Sequence, residues 1–300
     1  MWGVADIDIL ACTFDNRLTN HLKYQGGAIY TQKASYKVGE LSNQGCVFKG
    51  YADAIRSEDD FSIGFPIKII GAYFNDNIHS IYLNDANGAR VSHNEFFVRT
   101  QHNYIPPTGQ NFQTIAYGLY LDYTSGFAVE DNDFTNLDNT ANISAAIVVK
   151  DNGGATDQLY NNEIDGFYHG IQAIGNNQNS AVTDLGLNFI CNDCGPLTAN
   201  SKDIIVSNYG KVGNLQGEGT RLPNNRFSAS GTSRHFDNFG LSTITYEHGT
   251  GDPRLVPINY IGLNPNGVLN FVDIAIECPS IPKPEALPGA VLSELNAVEI

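Results

Sequence analysis

Apolar residues in this chain recur in short alternating phrases, not at helical spacing. Between Ile81 and Ile190 one phrase occurs four times: an aliphatic residue, two others, an Asn, one more residue, then Phe or Ile. The copies are Val91-Ser-His-Asn94-Glu-Phe96, Val129-Glu-Asp-Asn132-Asp-Phe134, Leu159-Tyr-Asn-Asn162-Glu-Ile164 and Leu185-Gly-Leu-Asn188-Phe-Ile190. A second phrase alternates with it: Ser80-Ile81-Tyr82-Leu83, Gly118-Leu119-Tyr120-Leu121, Ala146-Ile147-Val148-Val149 and Gly170-Ile171-Gln172-Ala173. Each phrase is too short for a helix, and its apolar residues alternate with period two, as in a strand. Ile81 and Leu83 therefore share one face and Tyr82 takes the other.

A strand pair this short cannot bury its inward residues alone, so successive windings must stack. The spacings Phe48 to Ile55, Phe74 to Ile81 and Ile164 to Ile171 are identical, which predicts one tight corner reused in several windings. Strands joined winding to winding stack in parallel. The predicted fold is all-β: a right-handed parallel β-helix (solenoid) over 1–208, with a small β-rich cap at 209–277. Residues 278–300 read as a proline-rich linker and a short terminal helix, with Val291, Leu292, Leu295 and Val298 at helical spacing. Insertions are expected at Thr31–Gln44, Arg56–Gly64, Val98–Tyr117 and Gly175–Thr183. The chain starts inside the pattern and ends in a cut-off helix, so flanking coils and domains, a signal and a sorting segment are expected beyond it.

The file Asn94, Asn132, Asn162, Asn188 is expected at one corner of successive coils. Asn tolerates a left-handed backbone, and stacked amides pass hydrogen bonds along the stack. The reading is a structural ladder in preference to a ligand strip. Cys12 and Cys46 take the Asn position in earlier coils, at a strand spacing of about 4.8 Å that a disulfide accepts. Cys191 and Cys194 form a lone C-x-x-C, read as a local disulfide or a packed thiol pair, with too few ligands for structural zinc. Cys278 is left unpaired or joined to a segment outside the chain.

Charge narrows the partners. Seventeen Lys and Arg against 32 Asp and Glu give a net charge of -15. A phosphate-binding surface needs the opposite sign, so nucleic acid is excluded as the expected partner. No stretch is apolar and long enough for membrane insertion.

Register supplies the candidate chemistry. Glu95, Asp133 and Glu163 precede the Phe or Ile of the corner phrase and form an outward carboxylate file. Such a file is either a solvated face or a calcium site, since carboxylate oxygens suit that ion. Asn84, Asp122 and Lys150 follow the strand phrase, beside outward Tyr82 and Tyr120. Aromatic planes among polar groups suit sugars; ordinary sheet surface is the alternative. His93 and His169 are isolated, and the sequence places no Asp or Ser partner near either, which argues against a triad.

These phrases resemble the parallel β-helix repeat family, the fold of pectate lyases, polygalacturonases and many bacterial surface proteins, over about residues 4 to 208. Phe189-Ile-Cys191-Asn192, Asp203-Ile204-Ile-Val206, Leu215-Gln216-Gly217 and Asn224-Asn-Arg-Phe227-Ser228, in that order, resemble large secreted Bacteroidetes-type surface proteins. The enzyme signatures are missing: Asn136-Leu-Asp138 matches the first polygalacturonase element, but no later element follows it, and Asp59-Asp60 lies upstream. The resemblance implies a secreted or cell-surface location. The expected function is a non-catalytic binding or adhesive module directed at a polysaccharide or surface glycan. The alternative is a polysaccharide lyase or glycoside hydrolase of the β-helix type, and a plain spacer is a third reading.

Overall fold

The computed structural model describes residues 6–16, 26–58, 67–100, 115–138, 144–153, 157–195, 200–207, 209–217, 222–229, 233–249, 252–267 and 278. The protein is all-β, built of parallel strands stacked in long sheets. The first sheet stacks Ile7–Leu10, Tyr36–Gly39, Ile67–Ile70, Arg90–Ser92, Ala128–Glu130, Gln158–Tyr160 and Asn188–Ile190. The second stacks Thr13–Asp15, Val47–Lys49, Tyr73–Asn77, Glu95–Val98, Asp133–Asn136, Glu163–Asp165 and Asp193–Cys194. The third stacks Gly27–Gln32, Asp53–Glu58, His79–Asn84, Ala116–Asp122, Ser144–Lys150, His169–Ile174, Lys202–Val206, Arg234–Asn238 and Tyr260–Ile261. As far as Val206 the chain visits the three sheets in strict rotation, so each pass is one coil, an order compatible with a parallel β-helix.

Parallel pairing continues past residue 208. Lys202–Val206 pairs with Arg234–Asn238, and a fourth parallel sheet joins Leu215–Gln216, Ile244–His248 and Leu263–Gly267. The only helix among the described residues is a single 3-10 turn, Pro253–Leu255. The expected terminal helix, Asp59-Asp60 and most of the insertion before Tyr117 lie outside the described residues.

Strict register turns each inward position into a file. Ile29, Ile55, Ile81, Leu119, Ile147, Ile171, Ile204 and Phe236 follow one another down the third sheet, all buried. Burying such a side chain contributes roughly 1.5–3 kcal/mol. In the second sheet Phe14, Phe48, Phe74, Phe96 and Phe134 stack ring on ring, with centroids 4.4–4.9 Å apart. Gly118 is needed beside that stack, because a Cβ there would meet the Phe134 ring at 2.5 Å.

The corner between the first and second sheets carries the asparagine ladder. Asn94 Nδ2 donates to Asn132 Oδ1 at 2.9 Å, Asn132 Nδ2 to Asn162 Oδ1 at 2.9 Å, and Asn162 Nδ2 to Asn192 Oδ1 at 2.9 Å. Asn192 Nδ2 then donates to Asn225 Oδ1 at 3.0 Å. Each of these amides also donates to a backbone carbonyl of a neighbouring coil, such as Asn132 to Val91 at 3.0 Å. All five side chains are buried, so the ladder faces inward.

Two expectations about this corner need correction. Asn188 is not a rung: it lies in a first-sheet strand opposite Gln158, and its Nδ2 donates to Gly186 O at 2.9 Å. Asn192 holds the rung instead, because Phe189, not Leu185, is the inward residue opposite Leu159. The left-handed residue is also one place earlier than the Asn: His93, Asp131, Asn161, Cys191 and Asn224 have φ between 46° and 59°. The corner therefore turns on that residue, and the Asn tucks inward to bond the turn.

The cysteines are arranged differently from the predicted pairs. Cys12 and Cys46 do continue the ladder file, but as free thiols, with Cys12 N donating to Cys46 Sγ at 3.4 Å. In-register Cβ vectors run parallel at the strand spacing, whereas a disulfide needs Cβ atoms nearer about 3.8 Å. Cys191 and Cys194 are not bonded to each other either. Cys191 sits at the outward left-handed position, while Cys194 is an inward, free thiol one strand later. The disulfide joins Cys191 to Cys278 across 87 residues.

The interior also holds a carboxyl group. Asp203 occupies an inward position of the third sheet where the preceding coils carry Gly170 and Ala146. Its Oδ2 accepts from Ser228 N at 2.7 Å. Burial pushes its pKa up to about 7, against the opposing pull of Ser228 and Arg254.

Four outcomes test this architecture. Asn132→Ala removes the acceptor that the buried Asn94 N–H and Nδ2 share and the side-chain donor to the Val91 carbonyl, and is expected to lower stability by about 3 kcal/mol in urea titration. Asn188→Ala, outside the ladder, is expected to cost under about 1 kcal/mol. Closing an 87-residue loop removes unfolded-state entropy worth about 4–5 kcal/mol; a reductant should therefore lower the melting temperature of the wild type and leave Cys278→Ser unmoved. Asp203 keeps its proton in the fold up to about pH 7 but loses it near pH 4 when unfolded, so its contribution falls as pH rises through that window. Asp203→Asn should gain on the wild type by more than about 1 kcal/mol between pH 4 and pH 8, read by denaturant titration at both pH values.

Candidate functional site

The outward side of the third sheet carries the densest set of aromatic and polar side chains that the sequence singled out. Strand alternation puts Tyr30, Arg56, Tyr82, Tyr120 and Val148 in one outward file, one per coil. Two residues further along each strand, Gln32, Glu58, Asn84, Asp122 and Lys150 form a polar file. The two files interlock. Arg56 lies over the Tyr82 ring, 4.5 Å from its centroid, and donates from Nη2 to Glu58 Oε1 at 2.7 Å. Tyr30 OH donates to Glu58 Oε2 at 3.0 Å. Tyr82 OH donates to Asp122 Oδ2 at 3.0 Å, and Lys150 Nζ holds Asp122 Oδ1 at 3.0 Å. Lys150 also reaches over the Tyr123 ring at 5.2 Å.

Tyr82, Tyr120, Asp122 and Lys150 are thus brought together, in different roles. Tyr120 faces outward from the sheet but is 0% exposed, packed with Tyr117, Ala145 and Val148. It supports Tyr82, whose ring lies 5.5 Å away at 27°. The half-buried Tyr82 hydroxyl is pushed up to about 12, first by burial and then by Asp122. The rings open to solvent are Tyr30 and Tyr123, 52% and 54% exposed. The sequence reading left out Tyr30, Arg56 and Tyr123. Tyr30 and Arg56 share the register of Tyr82, which is a signal readable from the phrases Ala28-Ile29-Tyr30 and Ala54-Ile55-Arg56.

At the start of these strands Asp53, His79 and Tyr117 are in register. His79 Nδ1 lies 2.9 Å from Asp53 Oδ1, and its ring stacks on Tyr117 at 4.4 Å. His79 and Tyr117 are both buried, so this pair packs one end of the face.

The carboxylate file stands on the second sheet. Glu95, Asp133, Glu163 and Asp193 are in register, so the file is one member longer than the sequence reading. With His93, Asp131, Asn161 and Cys191 of the corner, Asp133, Glu163 and Asp193 line a cleft of about 390 Å³. Burial raises the Asp133 pKa, with Glu95 and Asp131 adding to it; Glu163 rises for the same reason, with Asp133 and Asp193 beside it. Asp193 is neutralised by Arg254 and Arg226. Among the described residues no group of three His, Cys, Asp or Glu side chains is placed to hold a metal ion. The reason is geometric: in-register carboxylates point the same way and do not converge. His93 pairs loosely with Asp131, Nε2 to Oδ2 at 3.7 Å, and His169 sits apart on the third sheet.

Comparison with known protein families, with curated proteins and with solved structures finds no match for this chain. The likeness to Bacteroidetes surface proteins accordingly rests on the quoted phrases alone, and the class shown by the fold is an all-β stack of parallel strands.

Proposed function

We propose that this chain is a right-handed parallel β-helix acting as a non-catalytic, glycan-binding module of a secreted surface protein, bacterial in kind. Right-handed crossovers are the rule between parallel strands of one sheet. The observation that carries the functional reading is the composition of the third-sheet face. Exposed Tyr30 and Tyr123 flank a line of Arg56, Glu58, Tyr82, Asn84, Asp122 and Lys150. Aromatic planes bind the C–H faces of sugar rings, and the polar groups between them meet hydroxyls. The carboxylates of this face are engaged: Glu58 by Arg56 and Tyr30, and Asp122 by Lys150 and Tyr82. An engaged carboxylate orients a ligand well but serves poorly as a catalytic acid or base. The disulfide between Cys191 and Cys278 suits an oxidising, extracellular setting.

A second reading, a glycoside hydrolase or polysaccharide lyase, is favoured by the cleft where Asp133 and Glu163 stand side by side with raised pKa values. Paired carboxylates of this kind can divide acid and base roles.

Glycan-array binding followed by calorimetry separates the two. The binding module should retain an oligosaccharide without turnover, and Tyr30→Ala and Tyr82→Ala should each weaken it about tenfold, a loss of about 1.4 kcal/mol. Asp133→Asn should leave affinity unchanged. Release of reducing ends or unsaturated products, abolished by Asp133→Asn, would replace the first reading with the second.

A further inference from the structure

Toward the C-terminal coils the charge balance of the same face changes. On the strands from Asp53 to Lys150 the cations are neutralised, Arg56 by Glu58 and Lys150 by Asp122. Further on, His169, Lys202 and Arg234 stand in register on three neighbouring strands. Arg234 reaches Asp237 Oδ1 at 3.1 Å and keeps much of its guanidinium in solvent. Lys202 has no carboxylate within ion-pairing distance among the described residues. Its Nζ lies 4.7 Å from the Tyr168 ring centroid and donates to Asn200 O at 3.1 Å.

The in-register neighbours of Lys202 make this notable. Like charges on adjacent strands, about 4.8 Å apart, repel, yet Arg234 stands on one side. On the other side is His169, which burial drives down to about 4, so it is neutral and offers hydrogen bonding only. Its Nδ1 lies 3.3 Å from Gln172 Oε1, and Gln172 Nε2 donates to Ser207 Oγ at 3.0 Å. In a chain of net charge -15, acids are plentiful enough to offset a surface lysine, and none of those among the described residues pairs with this one. The ammonium is instead held over an aromatic face, a contact that fixes a cation without neutralising it. An oxyanion lying between Lys202 and Arg234 would relieve their repulsion, and the Tyr168 ring beside it would take the adjoining sugar plane.

We infer that the glycan held by this face is acidic, and that Lys202, with Arg234 and Tyr168 beside it, receives its carboxylate or sulfate group. The inference rests on the glycan-binding reading and adds the charge class of the ligand and the position of its anionic group.

The test is calorimetry of the whole chain with matched oligosaccharides: a uronate and its carboxyl-reduced counterpart, and a sulfated glycan and its desulfated counterpart. The acidic member of at least one pair should bind about tenfold more tightly than its neutral counterpart, with a preference that fades as salt rises. Whichever pair responds identifies the group. Lys202→Gln should cut the preference to about twofold while leaving affinity for the neutral member unchanged, and Lys202→Arg should keep it. Equal binding of acidic and neutral members, or a preference that survives Lys202→Gln in a folded protein, overturns the inference and leaves the glycan-binding reading standing. Absence of binding to every glycan overturns both.

Discussion

Everything in this molecule follows from parallel strands held in register. Register puts each side chain over its counterpart in the coils on either side, at a separation the backbone sets. A residue type is therefore tested against itself at every position. Side chains that tolerate self-stacking, such as aliphatic groups, flat rings and primary amides, line the interior. The amide is the most telling case. Its Nδ2 offers two donors, one for the next Oδ1 and one for a carbonyl, and from Asn94 to Asn225 that demand is met coil by coil. A buried polar group is tolerated only when so satisfied, which is why the ladder also fixes the corner.

The same constraint makes the exterior electrostatically uneven. A carboxylate repeated at one register position cannot escape its neighbours, and burial together with those neighbours keeps the protons of Asp133 and Glu163 bound more tightly than usual. The third sheet solves the problem differently. Its polar file alternates in character, from Glu58 through Asn84 and Asp122 to Lys150, and its aromatic file interposes Arg56 between Tyr30 and Tyr82. Mixed files neutralise themselves, and the resulting surface is rich in hydrogen-bonding groups without a strong field.

The parallel strands and the inward residues were legible because period-two alternation survives in short phrases, and the Asn file was legible through three of its rungs. The fourth was misframed because Leu185-Gly-Leu-Asn188-Phe-Ile190 imitates the phrase, whereas the true coil begins with the aromatic Phe189. An aliphatic residue and a ring fill the same inward slot, so a pattern that insists on one misses the other. Cys12 and Cys46 were placed in the right file, and the Cys46 thiol imitates the ladder by accepting the Cys12 N–H and facing the Ile9 and Gly39 carbonyls. The partner of Cys191 was beyond local reading: no phrase relates position 191 to position 278. Register alone placed Tyr82, Asp122 and Lys150 together on one outward face. The burial of Tyr120 was not, because an outward direction says nothing about what packs over a side chain.

The two outward faces illustrate how far register can carry a functional argument. It fixes direction and neighbour, so it predicts which groups share a surface and which ones repel. It also shows where a mixed file stops balancing itself. On the third sheet the file from Glu58 to Lys150 passes on to Ile174, while at the other end of the strands His169, Lys202 and Arg234 share a file beside Tyr168, and Lys202 meets no carboxylate among the described residues. A self-stacking architecture leaves few ways to hide an uncompensated cation, since its nearest neighbours are set by the coils above and below. The charge must be met either by solvent or by a ligand lying along the sheet. The proposed acidic glycan, extended and ring-bearing, would meet the aromatic ring beside the ammonium and the second cation in register with it.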